Sequence, residues 1–157
     1  MVRRFKINYL LIPLFAIITA SAASYFAATG RAWYQTINLP AWTPSGSIMV
    51  LAWTIIFVLS AISLLIVWNK YSSEKNFRLI VALFILNGML IVGWNVLFFS
   101  HHLMDLAFLH AIFLIINLFL LIILIWRISA TAAYLLIPYF AYLIFSTVLT
   151  FNVWMIN

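Results

Sequence analysis

His101, His102 and Asp105 fall within five residues of one another, and His102 and Asp105 stand three apart where an apolar run begins, a workable spacing for two metal ligands on one helix face. A closed metal centre needs a third and a fourth ligand. The only acids are Glu74 and Asp105, and there is no cysteine. A short polar loop accounts for the same residues, so no metal site is assigned. His110 stands alone inside an apolar run. As a haem axial ligand it competes with the commoner hydrogen-bonded core histidine. Disulfide and thiolate chemistry is excluded by the missing cysteines. No glycine-rich phosphate loop, carboxylate pair or nucleophile elbow is present, and two acids do not build a proton path through buried carboxylates.

What the chain offers in quantity is rings. Phe, Trp and Tyr make up 18% of it, and they recur at helical spacing. Met49, Trp53, Phe57 and Ser60 form one stripe; Asn87, Ile91, Trp94 and Phe98 form another. His110, Phe113 and Asn117 share a third face, and Tyr139, Tyr142, Ser146 and Leu149 a fourth. Each stripe combines flat apolar faces with one or two polar groups. Ordinary packing in a helix bundle explains such stripes. A cavity with aromatic walls, suited to a flat and greasy ligand, explains them as well. Asn87, His110 and Asn117 fall near the middle of apolar runs, where an unpaired polar group is expensive, so they are expected to face inward and to satisfy each other or line the cavity.

The elements that must carry these stripes follow from composition. The chain has 157 residues, 68% hydrophobic and 6% charged. A soluble domain runs nearer a quarter charged, so the medium is lipid. Five apolar stretches near the roughly 20 residues of a spanning helix lie at about 7–29, 46–68, 78–100, 103–126 and 130–154. Runs such as FLIINLFLLIILIW (113–126) do not alternate, which rules against a β-barrel. The expected fold is an all-α membrane protein, a five-transmembrane-helix bundle in one domain with an interhelical ligand pocket. The first run also reads as a signal peptide, with Arg3, Arg4 and Lys6 before it and small residues TASAAS at 19–24. Its apolar character continues to Gly30, and Ala16, Ala20, Ser24 and Ala28 recur as a small-residue stripe for close helix packing, so it is read as a retained span.

Between the first two spans, residues 30–45 contain WYQTINLPAWTP, two tryptophans, a tyrosine and two prolines without a charge. Pro40 and Pro44 fix φ and lower the entropy lost on ordering; Trp33, Tyr34 and Trp42 bring apolar area with few rotatable bonds. From the residues alone, a stiff lid over a cavity and a stiff interfacial connector are equally good descriptions. The net charge of +6 sits at span ends, which points to topology and anionic headgroups and away from nucleic acid.

In order along the chain, Trp33-Tyr34, Leu39-Pro40, Trp42-Thr43-Pro44, Trp53, Leu86-Asn87, Trp94-Asn95, Phe98-Phe99, Pro138-Tyr139 and Asn157 resemble the TspO/MBR family, the tryptophan-rich sensory proteins and mitochondrial translocator proteins. The resemblance implies five helices around a pocket, a lid over it, and a homodimer. It implies an integral membrane receptor for a tetrapyrrole (porphyrin or haem), a sterol or a benzodiazepine-like drug, with no required cofactor. The rival readings it carries are a light- and oxygen-dependent porphyrin-degrading enzyme, in which Trp53 and Tyr142 would act, and a transporter. The ligand-binding residues it implies are Trp53, Phe57, Asn87, Trp94, Tyr139, Tyr142 and Ser146, with Trp33, Tyr34, Pro40, Trp42 and Pro44 in the lid. Asn87, Tyr139 and Ser146 are expected to supply the hydrogen bonds.

The chain departs from the family pattern at several places. Ser45 replaces a second proline, Tyr142 replaces the tryptophan tied to porphyrin breakdown, His110 replaces an aspartate and Thr150 an asparagine. The sterol-recognition pattern is missing from FNVWMIN, although the permissive form occurs at Val67, Tyr71 and Lys75.

Arg3, Arg4, Lys6, Lys70, Lys75, Arg78 and Arg127 fall on one side of a five-span chain and Arg31 alone on the other, which puts the N-terminus in the cytoplasm and the lid and C-terminus outside. Reporter fusions after Arg127 and after Asn157 are therefore expected to report opposite sides, cytoplasmic and external. The same side for both would overturn the five-span arrangement.

Overall fold

In the computed structural model the described residues are 6–157, so Arg3 and Arg4 of the charge asymmetry lie outside them. The described chain forms α1 (Asn8–Thr29), a single turn α2 (Arg31–Tyr34), α3 (Gly46–Tyr71), α4 (Phe77–Asn95) continued by a π-helical turn (Val96–Ser100), α5 (Met104–Trp126), a short α6 (Ala130–Tyr134) and α7 (Ile137–Ile156). No strand occurs among the described residues. Five segments are long and apolar enough to cross a membrane, with α6 and α7 counting together as one, Ala130–Ile156.

The expected spans agree with these helices to within a few residues, and two differences have local causes. The second span runs almost a turn further, to Tyr71, because no breaker interrupts it; Asn69 turns its Nδ2 back onto the Leu65 carbonyl at 2.9 Å and the helix continues. The fifth span is divided. Pro138 has no N–H, and its ring clashes with a helical carbonyl four residues back, so α6 stops at Tyr134 and α7 starts afresh with the proline in its first turn. Ser129 begins α6 by accepting from the Ala132 N–H at 3.3 Å.

α5 is the axis of the bundle. Leu114, Leu118, Leu121 and Ile125, spaced 4, 3 and 4 apart, are buried where α4 and α7 flank it. α1 closes the other side against α3 and α4. Outward-facing Ile17, Val50, Leu51 and Phe113 remain exposed, as a lipid-covered surface requires. The small-residue stripe of α1 is not its buried face. Ala16 and Ala20 are half-buried, while Ser24 and Ala28 are exposed. Asn8, Ile12, Thr19 and Ala23 are buried instead, because α1 is rotated to set that face against α3 and α4.

The tightest approach comes where α1 ends. A Cβ built on Gly30 would stand 2.6 Å from Phe99 Cβ and closer still to the Phe99 carbonyl oxygen. Neither atom can rotate away, since both belong to the π turn's backbone or its first side-chain atom. Gly46, by contrast, has nothing within 4 Å of a built Cβ. Gly30→Ala is therefore expected to destabilise by about 1–3 kcal/mol, the usual range for an overpacked contact. Gly46→Ala should leave the melting temperature in detergent nearly unchanged, and equal effects from the two would contradict this packing.

Candidate functional site

Three side chains form a buried polar chain at the centre of the bundle. The Tyr139 hydroxyl donates to Asn87 Oδ1 at 3.1 Å; Asn87 Nδ2 donates to Asn117 Oδ1 at 2.9 Å; Asn117 Nδ2 donates to the Leu83 carbonyl at 3.3 Å. Tyr139, Asn87 and Asn117 are 2%, 6% and 4% exposed. The chain ties α7 to α4 and α4 to α5. Both asparagines face inward and satisfy each other, one of the two expected outcomes. His110 stays apart from them, half-buried, with Nε2 2.9 Å from the Leu90 carbonyl. A carbonyl only accepts, so Nε2 carries the proton.

A run of rings leads outward from this polar chain. Trp53 lies edge-on to Tyr139 at 5.9 Å and to Tyr142 at 5.8 Å, with Phe57 at 6.1 Å beside it. Tyr142 meets Phe145 at 5.8 Å, and Phe145 meets Trp42 of the lid at 5.6 Å. The aromatic path is thus continuous from the buried Tyr139 to the lid. Ser146 follows Tyr142 by one turn and is half-buried; its carbonyl accepts from Thr150 Oγ1 at 2.9 Å.

Trp94 belongs to a different cluster. It stacks on Phe98 at 5.0 Å with the planes 8° apart and meets Phe99 edge-on at 6.0 Å. The lid's Trp33 packs on Phe98 at 5.4 Å, and Tyr34 on Phe98 and Phe99 at 6.3 and 5.7 Å. The expected ring residues therefore fall into two groups: Trp53, Phe57, Tyr139 and Tyr142 around the polar chain, and Trp94 beside Trp33 and Tyr34. The position of Trp94 on the same helix as Asn87 does not place it on the same face of the cavity.

The lid itself is not wholly irregular. Trp33 and Tyr34 stand on α2, and burial pushes the Tyr34 hydroxyl above its ordinary pKa, so it stays neutral. Thr36 and Thr43 close tight turns by bonding back to the Trp33 and Pro40 carbonyls, through N–H at 2.8 and 3.0 Å and hydroxyl at 2.7 and 2.7 Å. These two threonines add to the stiffness expected of Pro40 and Pro44. The lid is anchored at a distance by Asn157. Its Oδ1 accepts from the Asn38 N–H at 2.8 Å, and its Nδ2 donates to the Asn38 carbonyl at 2.9 Å. The Trp33 ring also stacks on His102 at 4.1 Å, 15° from parallel. Among the described residues, no group of three metal-type side chains gathers around His101, His102 and Asp105 or elsewhere.

The space among α1, α3, α4 and α7 amounts to about 40 Å³ and is partly open, lined by Phe57, Ser60, Asn87, Tyr139, Thr19 and apolar neighbours. Ser60 Oγ is buried there without a hydrogen-bond partner. Sequence reasoning put Ser60 on the stripe of Trp53 and Phe57 but not in the site. Phe145 and Phe15 had no signal of their own, since an extra phenylalanine in so apolar a chain is indistinguishable from lipid-facing surface.

Residues 9–155 match the model of the TspO/MBR family. The chain is similar to the tryptophan-rich protein TspO of Bacillus cereus, 34% identical over 128 residues that cover 81% of this chain and 82% of that one. It is 31% identical to the uncharacterized membrane protein YtaB of Bacillus subtilis, covering 85% of each chain. Human translocator protein 2 is 30% identical over 78% of this chain and 73% of its own.

Tyr139→Phe leaves Asn87 Oδ1 without its donor. The expected loss is about 1 kcal/mol, between the average of roughly 0.6 kcal/mol for interhelical bonds in membranes and the 1–3 kcal/mol of an orphaned buried group. Asn117→Ala strips Asn87 Nδ2 of its acceptor and the Leu83 carbonyl of its second donor, and should cost more in the same unfolding measurement. A smaller loss than that of Tyr139→Phe would break the proposed linkage through the paired asparagines.

Proposed function

The chain belongs to the TspO/MBR family, and on that premise we propose that it is a membrane receptor that binds a flat hydrophobic ligand, a porphyrin or haem, between its helices. It is an integral, multi-pass membrane protein. The observation that carries the reading is the unbroken aromatic path from Trp42 through Phe145, Tyr142 and Trp53 to Tyr139, ending on the Asn87 amide. Flat apolar faces suit a planar ring system.

The arrangement is a tight one. Sites for drug-sized ligands occupy about 300–1,000 Å³, far above the 40 Å³ among the helices. Binding therefore requires the side chains that line this space, Phe57 and Tyr139 among them, to part. The lid's polar anchor is small, two hydrogen bonds between Asn38 and Asn157, worth about 0.5–1.5 kcal/mol each. Asn87 and Tyr139 are committed to each other, so Ser60 Oγ, without a partner, is the polar group free to meet a ligand.

Trp53→Ala removes the ring that joins Tyr139 to Tyr142. By analogy with base stacking on aromatic side chains, about 1–3 kcal/mol of binding should be lost, roughly 5- to 150-fold in affinity for protoporphyrin. Titration of the purified protein in detergent measures it, with a melting curve to show that the variant is folded. Unchanged affinity in a folded variant would remove Trp53 from the ligand site and with it this reading of the aromatic path.

A further inference from the structure

The cavity shares a wall with a larger space outside the bundle. A groove of about 600 Å³ runs between α1 and α4, with His110 of α5 reaching it. Phe15, Thr19 and Gly88 line both the groove and the cavity. At this wall α1 meets α4 through Phe15 and Thr19: a Cβ built on Gly88 would stand 2.6 Å from Phe15 Cζ and 3.2 Å from Thr19 Oγ1. Phe15 thus rests on bare backbone of α4 and occupies the space that a side chain at position 88 would fill. Its ring is half-buried and turns about two side-chain torsions. Moving it breaks no hydrogen bond, whereas raising the lid breaks the two at Asn38.

We propose that the groove between α1 and α4 is a vestibule on the lipid side, through which a flat apolar molecule dissolved in the membrane reaches the cavity, with Phe15 as the gate. The groove has the size of a small-molecule site. Its rim is made for the lipid phase: Ile18 and Met89 are 58% and 63% exposed on its two edges. It shares the wall of Phe15, Thr19 and Gly88 with the cavity, which an unrelated surface depression would not. A water-borne ligand gains nothing from such a route; a membrane-dissolved one avoids crossing the polar rim and the lid. The proposal deepens the receptor reading and rests on the cavity being the ligand site, but its test does not depend on porphyrin.

The chain has no cysteine, so Ser60→Cys introduces a single thiol into the cavity at a position whose hydroxyl is unpartnered. The protein in lipid nanodiscs is exposed to pyrene maleimide dissolved in the bilayer, and the rate of labelling is followed by fluorescence. Phe15→Ala in this background is expected to speed labelling by about tenfold, a small change in barrier. Ala22→Phe fills the groove from a residue that lines only its outer side, and should slow labelling by a similar factor. Phe15→Leu, closer in volume, guards against loss of fold and should give an intermediate rate; melting curves accompany all three. If neither Phe15→Ala nor Ala22→Phe moves the rate, the route is wrong, and a second copy of the chain seated over the groove would give that result. If Asn157→Ala alone sets the rate, access is under the lid and the proposal falls. Protoporphyrin titration of the same variants separates the two readings. Binding with unaltered rates keeps the receptor and discards the gate; altered labelling without binding keeps the gate and discards the receptor.

Discussion

The hydrogen bond between Asn87 and Asn117 governs how the bundle is assembled. Hydrocarbon offers no water to a side-chain amide, so each asparagine must find partners inside the protein or carry an uncompensated cost. Facing each other at 2.9 Å, they set the rotation and relative depth of α4 and α5 together. Dispersion between apolar side chains would tolerate many registers of the same two helices. The amide pair tolerates few. Once Asn87 Oδ1 is in place, the Tyr139 hydroxyl has an acceptor, and α7 is positioned against α4. Trp53 of α3 packs on Tyr139, and the aromatic path starts from there.

Two kinds of restraint hold the site closed, and they differ in cost. Inside, rings pack edge-to-face and the Ser60 hydroxyl is left unpaired in a narrow space. Such a hydroxyl is a cost to the closed state that a ligand or a water could relieve. At the rim, the lid is held by one reciprocal amide-to-backbone pair and by ring contacts at Phe98, Phe145 and His102. The lid's own turns, closed by Thr36 and Thr43, keep it stiff as a unit. A stiff piece on few anchors moves as a body, which is the mechanical requirement for a cover.

Close approach at glycine does the remaining positioning. Gly30 lets the end of α1 meet the π turn at Phe99, Gly88 seats Phe15, and at Gly93 a built Cβ would lie 3.0 Å from the His110 ring. The last contact seats the histidine ring closely against the α4 backbone. Its Nε2 bonds across to the Leu90 carbonyl and so links α5 to α4.

The number of spans, the stiff aromatic loop between the first two, and the inward-facing asparagines were all legible in the sequence. Run length, proline placement and the cost of a polar group in lipid are properties of a segment taken alone. The ring stripes on α3 and α7 were legible for the same reason, since helical spacing is local. Which stripe faces which was not. Trp94 and Asn87 share α4, yet Trp94 stacks on Phe98 beneath the lid while Asn87 joins Tyr139. α1 buries Ile12, Thr19 and Ala23 in preference to the stripe of Ala16, Ala20, Ser24 and Ala28. The division of the fifth span could be read from Pro138, but the tie between Asn38 and Asn157, 119 residues apart, could not. The wall that Phe15 forms against Gly88 depends likewise on how two helices are turned toward each other. Helix rotation and depth are set by contacts among all the spans at once, and a single chain of mostly apolar residues, with no charge to mark its buried faces, leaves those to the tertiary structure.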